Sequence, residues 1–171
     1  MTPSPPIYVL DANIFIEAHR RYYAFDICPG FWDCLTHHAK QRQILSIDRV
    51  RAEITNGDLL AKWIKASPAN LFRSSADSSV VQEFRTMMTW VQTNSQFTLA
   101  AKAEFASVAD GWIAAYAKAH GAVLVTEEVF NANITKKVPL PNVCRHFNVA
   151  YTDTFGMLRG LGAQFEWSPP L

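Results

Sequence analysis

The chain has 171 residues, of which 49% are hydrophobic and 18% are charged. This composition predicts one folded globular domain with a sizeable core, and it excludes a disordered or fibrous chain. No apolar run approaches the roughly 20 residues that span a bilayer, and no charged segment precedes an apolar leader, so we expect a cytoplasmic protein without a membrane partner. The net charge of +1 neither favours nor excludes nucleic acid as a partner.

The three cysteines are an odd number and contain no C-x-x-C pair, so they predict reduced thiols rather than a disulfide framework. One alternative is a zinc site formed by Cys28, Cys34, His37 and His38. The spacing of these residues fits no established zinc pattern, and we therefore expect them to pack into or against the core.

The first half of the chain predicts two buried strands, each followed by helical segments. Its predicted elements are a strand over residues 7–10, a helix over 13–19, a helix over 30–43 and a strand over 44–47. The first strand ends at Asp11. Asp48 is predicted to cap the next helix, because its short carboxylate can accept a bond from an unpaired amide. That helix carries Glu53 and is interrupted or ended by Gly57.

The second half predicts more helices and two further strands. They are helices over residues 59–65, 80–91 and 97–120, a loop over 74–79, strands over 122–125 and 149–151, and between these strands a short helix around residues 143–147. Gly121 lies just past the longest predicted helix, where glycine often ends one. Short apolar strands that alternate with helices favour parallel βαβ units. We therefore predict a single α/β domain over residues 1–171, with helices on both faces of a small parallel sheet.

Acidic residues follow the predicted strands at the edge of the sheet where ligands bind in such folds. Asp11 ends the first strand, Glu128 follows the strand over 122–125, Glu53 lies in the helix after the second strand, and Asp110 stands among apolar neighbours. Converging carboxylates repel one another, and a divalent cation removes the conflict. An all-oxygen set without His or Cys indicates Mg²⁺ or Mn²⁺, which can polarise a phosphodiester and activate water.

The segments around these residues resemble, in order and placement, the motifs of PIN-domain nucleases. They are YVLDAN at 8–13, VRAEI at 50–54, ADGWIAAYA at 109–117 and LVTEEVF at 124–130. The resemblance implies an α/β/α sandwich and cleavage of single-stranded RNA that depends on Mg²⁺ or Mn²⁺. It also implies a VapC-like toxin role in a VapBC-type toxin–antitoxin pair, with an antitoxin as partner and a homodimer as the expected assembly.

The resemblance assigns roles to individual residues. Asp11, Glu53 and Asp110 occupy the three main acidic positions of the family, and Asn13 occupies the small polar position two residues after the first. Apart from the resemblance, Thr126 has two interpretations: it simply ends its strand, or its hydroxyl orients a ligand or a bound water. Without the resemblance, Glu53 would be interpreted as a solvated helix residue and Asp110 as a carboxylate that starts a helix.

The fourth acidic position departs from the family pattern, because it is usually Asp and is here Glu128 or Glu127. The segment between the second and third motifs is also longer than in the compact form of the family. Arg20 and Arg21 are first interpreted as ordinary surface charges. They become candidates for phosphate contacts if they border the acidic site.

Two other functions stay open at this point. A catalytically silent PIN-like module would bind RNA or protein as a scaffold, although a scaffold has no need for a full set of repelling carboxylates. A phosphatase-like Mg²⁺ hydrolase on a similar sheet would use the same carboxylates, but no Gly-rich phosphate loop or nucleophile-and-base pair supports it.

Overall fold

The computed structural model describes residues 4–54 and 58–170. Within these residues, five parallel strands form a sheet in the order β3-β2-β1-β4-β5. The strands are β1 (Tyr8–Leu10), β2 (Ile44–Ile47), β3 (Phe72–Arg73), β4 (Val123–Val125) and β5 (Tyr151–Thr152). β1 and β2 are buried along their whole length, as expected for the inner strands of a parallel sheet that is covered by helices.

Helices connect the strands and cover the sheet. They are α1 (Ala12–Glu17), which continues as a π-helical segment (Ala18–Tyr22), α2 (Pro29–Lys40), α3 (Asp48–Glu53), α4 (Leu59–Ala66), α5 (Ser78–Thr93), α6 (Leu99–Ser107), α7 (Asp110–His120), α8 (Leu140–His146) and α9 (Thr154–Gly160). The predicted α/β class with a central parallel sheet is confirmed.

The strand order places a topological switch point at the centre of the sheet. From β1 the chain moves in one direction to β2 and β3, and it then crosses to β4 and β5 on the other side. Right-handed crossovers in opposite directions place helices on both faces and leave a crevice beyond the carboxyl ends of β1 and β4. Leu10 is in register with Val125, so Asp11 and Thr126 emerge side by side at that crevice.

The helix predicted over residues 97–120 is wrong, because the segment forms two helices, α6 and α7. Val108 has an extended backbone (φ −109°, ψ 174°) that ends α6. The amide of Ala109 then donates to the carboxylate of Glu53 at 2.7 Å rather than to a helical carbonyl. The alanine-rich composition favours helix throughout, and this tertiary contact accompanies the break that makes Asp110 the first residue of α7.

Smaller predictions also differ from the structure. Asp48 is the first residue of α3 and Ile47 holds the cap position, so the carboxylate of Asp48 instead accepts from the amides of Arg49 (2.9 Å) and Ser75 (3.2 Å). β3 and α9 were not predicted, and β5 lies one to two residues later than expected. Gly57, predicted to interrupt or end a helix, lies outside the described residues.

Aromatic residues that pack against the core connect α5 with α7. The rings of Phe84 in α5 and Trp112 in α7 stack with centroids 3.8 Å apart, and the guanidinium of Arg49 lies 3.7 Å from the centroid of Trp112. The predicted free thiols are confirmed, and Cys144 is buried. Among the described residues, no helix has the length and apolarity that a membrane span requires.

Candidate active site

Asp11 lies at the carboxyl end of β1 and is 3% exposed. It holds the cap position of α1, yet its carboxylate makes no capping bond. Instead, its Oδ2 accepts a hydrogen bond from the hydroxyl of Thr126 at 3.3 Å. Burial and the charges of Glu128 and Glu53 raise the pKa of Asp11 to about 7, against the opposing effect of the Ala12 amide and Thr126.

Asp110 enters the same space from the first turn of α7. Burial, followed by the negative charges of Asp11, Glu128 and Glu53, raises its pKa to about 8. The positive charge of Lys137 opposes this rise. In the metal-free protein, Asp110 is therefore protonated over much of the neutral range.

Glu53 connects two helices at the rim of the site. It is the last residue of α3, and its Oε1 accepts the Ala109 amide at the start of α7. The carboxylate thus satisfies one of the backbone donors that a helix leaves unpaired at its beginning. Glu53 has a structural role in addition to any chemical one.

The structure separates the two candidates for the fourth acidic position. The Oε2 of Glu128 accepts the amide of Leu140 at 2.7 Å, and its Oε1 pairs with the ammonium of Lys137. Glu127 points elsewhere, where it accepts from the amide of Thr154 at 3.1 Å and from the hydroxyl of the same residue. Glu128 is thus the one that shares a cavity with the other three carboxylates.

That cavity, which we call the acidic cleft, has a volume of about 230 Å³. Its polar lining consists of Asp11, Asn13, Glu53, Glu104, Asp110, Glu128 and Lys137. The four carboxylates predicted from the sequence therefore lie in one cleft, at the switch point of the sheet.

The donor set of the acidic cleft fits a hard divalent cation. Its oxygen donors are the type that Mg²⁺ and Mn²⁺ prefer, and burial, followed by the charges of the neighbouring carboxylates, raises the pKa values of Asp11 and Asp110. Within residues 4–54 and 58–170, no three His, Cys, Asp or Glu side chains are already spaced to hold a metal ion.

The supporting residues fall on different sides of the site. Asn13 lines the acidic cleft, and Thr126, 2% exposed, donates to Asp11 and accepts the amide of Glu128 at 3.2 Å. Arg21 pairs with Glu17 at 2.8 Å and lines an adjoining groove that also contains Asn13, Glu128 and Lys137. Arg20 is exposed and lines neither space.

Two charged residues of the cleft were not singled out from the sequence. Glu104 is exposed on α6, where it also lines the cleft. Lys137 gave no signal beyond being one of a lysine pair before a proline-containing segment. Neither residue lies near a strand end in sequence, and only the packing of α6 and of the loop after β4 places them here.

Residues 8–165 match the family described as "Domain of unknown function (DUF4411)". Among solved structures, the chain is similar to one in the crystal structure of VapBC2 from Rickettsia felis bound to a DNA fragment from their promoter. The two chains are 15% identical, the match covers 86% of this chain and 98% of that chain, and the TM-score is 0.51. No curated protein matches the chain.

At this identity the structural match shows the fold alone. It confirms at the level of fold the resemblance to PIN domains that the sequence motifs indicated. The chain belongs to the DUF4411 family, and its fold is similar to that of the matched chain of the VapBC2 complex, in agreement with the PIN-domain resemblance of its motifs.

Proposed function

We propose that this protein is a metal-dependent endoribonuclease that cleaves single-stranded RNA and is the toxin of a toxin–antitoxin pair. The observation that carries the proposal is the acidic cleft, where Asp11 and Asp110 are desolvated beside Glu53 and Glu128. Desolvated like charges destabilise a folded protein. Binding of a cation and a phosphate gives a physical reason for such charges to be present in one cleft.

In this mechanism Asp11, Glu53, Asp110 and Glu128 would hold Mg²⁺ or Mn²⁺. When bound, the cation would supply Lewis-acid activation of the phosphodiester and of a water molecule. The Thr126 hydroxyl fixes the orientation of the Asp11 carboxylate.

The rim of the cleft supplies contacts to the RNA strand in this proposal. Asn13 is an exposed amide beside the carboxylates, so it can donate to a phosphate or sugar oxygen. Arg21 in the adjoining groove and the neighbouring Arg20 supply positive charge along the strand.

The partner and setting of the protein are part of the proposal. The structural match is to a chain of a VapBC2 complex, which supports an antitoxin partner. We place the protein in the cytoplasm as a single domain that forms a homodimer; its free thiols fit a reducing compartment. A neighbouring small gene for a DNA-binding protein would support the toxin assignment, and a monomeric mass in light scattering would contradict the dimer.

A scaffold function is the second candidate, and the engagement of both Glu128 oxygens by Lys137 and the Leu140 amide favours it. Metal binding separates the two. If the protein is a nuclease, the purified chain should bind Mn²⁺ in calorimetry and cleave labelled single-stranded RNA. EDTA should abolish this cleavage, and Mg²⁺ or Mn²⁺ should restore it. Cleavage that survives exhaustive chelation contradicts the metal mechanism. If the protein does not bind Mn²⁺ and does not cleave RNA, it is better described as a scaffold.

A further inference from the structure

Lys137 brings a positive charge into the acidic cleft. It belongs to the loop over residues 126–139 between β4 and α8, and its ammonium pairs with Glu128. The Lys137 side chain is 47% exposed, whereas the Glu128 side chain is 12% exposed. Lys137 also lines the adjoining groove with Asn13, Glu17 and Arg21, so it stands where the cleft opens to this groove.

The backbone of the loop near Lys137 is anchored on both sides. The amide of Thr98 donates to the carbonyl of Thr135 at 2.9 Å, and the amide side chain of Gln96 donates to Ile134 at 2.8 Å. On the other side of Lys137, Val138 is 2% exposed. These contacts hold the base of the side chain at the cleft, while four rotatable bonds leave the ammonium able to change partner.

The charge of Lys137 acts on two neighbours at once. It occupies one oxygen of Glu128, and the Leu140 amide occupies the other. It also opposes the rise in the pKa of Asp110. A cation that enters the cleft therefore competes with Lys137 for Glu128 and is repelled by its ammonium.

We propose that Lys137 is a phosphate-binding residue of the cleft, neutralising Glu128 in the metal-free protein and turning to a substrate phosphate when Glu128 binds the cation. This inference rests on the proposed function. An ammonium at the mouth of an acidic cleft attracts a phosphate that the carboxylates alone would repel. Before the cation binds, the ion pair with Lys137 offsets the negative charge of Glu128. When this ion pair breaks, the ammonium of Lys137 becomes available to an RNA phosphate.

A purely structural ion pair makes a different prediction. Partly exposed pairs contribute about 0–1 kcal/mol to stability, and removal of such a pair changes melting without opposite effects on two ligands. The proposed role instead predicts that loss of the ammonium strengthens cation binding and weakens RNA binding. The matched control is Lys136, the exposed neighbour in the same loop.

The test compares wild type, Lys137→Met and Lys136→Met. Calorimetry measures Mn²⁺ binding, and fluorescence anisotropy measures binding of a short single-stranded RNA in Ca²⁺, with a gel to verify that the RNA stays intact. For Lys137→Met we expect the Mn²⁺ Kd to fall about fivefold or more and the RNA Kd to rise by a similar factor. The slope of log Kd against log salt should decrease by about 0.7, the value for one single-strand phosphate contact. Lys136→Met should match wild type in all three.

Melting curves establish that each variant is folded, and Lys137→Arg, which keeps the charge, should restore RNA affinity. An unchanged Mn²⁺ Kd or an unchanged salt slope in Lys137→Met overturns the inference, as does failure of the Arg variant to restore RNA affinity. If wild type itself binds neither Mn²⁺ nor RNA, the proposed function fails. If wild type binds both and Lys137→Met behaves like Lys136→Met, only the role of Lys137 fails.

Discussion

Replacement of Asp110 by Asn tests whether the cleft is built for a cation, because the amide keeps the size of the side chain and removes one charge. Asp110 has a pKa of about 8 in the folded protein, against 3.8 for a solvated carboxyl group. A carboxyl group with a raised folded-state pKa takes up protons on folding. The free energy of unfolding of the metal-free protein should therefore fall as pH rises from about 4 to about 8.

The size of the effect follows from the same pKa values. The difference of about four pH units, at about 1.4 kcal/mol each, corresponds to about 5–6 kcal/mol once Asp110 is fully ionised. The Asn side chain is itself desolvated at this position, so we expect Asp110→Asn to recover only about 1–3 kcal/mol at pH 7.5. The gain should shrink towards pH 4, where the carboxyl group is protonated in the folded state and partly protonated in the unfolded state.

The assay consists of melting curves between pH 4 and pH 8.5, with and without Mn²⁺, together with RNA cleavage at pH 7.5. For a chain of this size, 1 kcal/mol corresponds to about 2–4 °C in Tm, so the metal-free variant should melt several degrees above wild type at pH 7.5. Its stabilisation by Mn²⁺ should shrink and its cleavage should fall sharply. Asp33→Asn, at an exposed position of α2, is the matched control and should leave all three unchanged.

A structural Asp110 behaves in the opposite way. If its carboxylate serves the start of α7 through the helix dipole, the Asn variant loses stability without metal and keeps its cleavage per folded molecule. That combination refutes the assignment of Asp110 as a metal ligand.

Two further predictions concern the rest of the site. Glu53→Gln keeps an oxygen for the Ala109 amide, so the variant should keep its free energy of unfolding within about 1 kcal/mol of wild type but lose much of the stabilisation by Mn²⁺. Glu53→Ala removes that oxygen and should also lower Tm. Equal stabilisation of wild type and Glu53→Gln by Mn²⁺ would count against a ligand role for Glu53. Arg21→Gln should weaken RNA binding and reduce its salt dependence by about one phosphate contact. Arg20 lies outside the groove, so Arg20→Gln should have a smaller effect. If the slope of log Kd against log salt does not change in Arg21→Gln, Arg21 is an ordinary surface residue.

The central strands could be predicted because their signal is local. β2 was predicted with its observed bounds, and β1 and β4 to within one residue, since a short apolar run between polar segments has few alternatives to a buried parallel strand. The edge strand β3 could not be predicted, because it has only two residues, which pair with β2 and form no apolar run of their own. The break between α6 and α7 was missed because helix propensity is continuous across it.

The residues of the cleft divide in the same way. Asp11 and Glu128 follow strands, so the direction of a parallel sheet is enough to bring them to one edge. Glu53 and Asp110 come from helices, and family resemblance rather than periodicity selected them. The choice between Glu127 and Glu128 depends on the direction in which each side chain points from the loop. The local sequence does not indicate this direction for two adjacent residues.

The α/β class, the inner strands and the position of Asp11 after β1 follow from the sequence alone, because apolar runs and the ends of strands are properties of short segments. The ion pair of Lys137 with Glu128 and the bond of Glu53 to the start of α7 become visible only in the folded structure. These contacts join residues that lie 9 and 56 positions apart, through loops and helix ends whose placement depends on long-range packing. The charge balance of the cleft is therefore a product of the fold, since desolvation and Coulomb interactions depend on three-dimensional neighbours rather than on spacing along the chain.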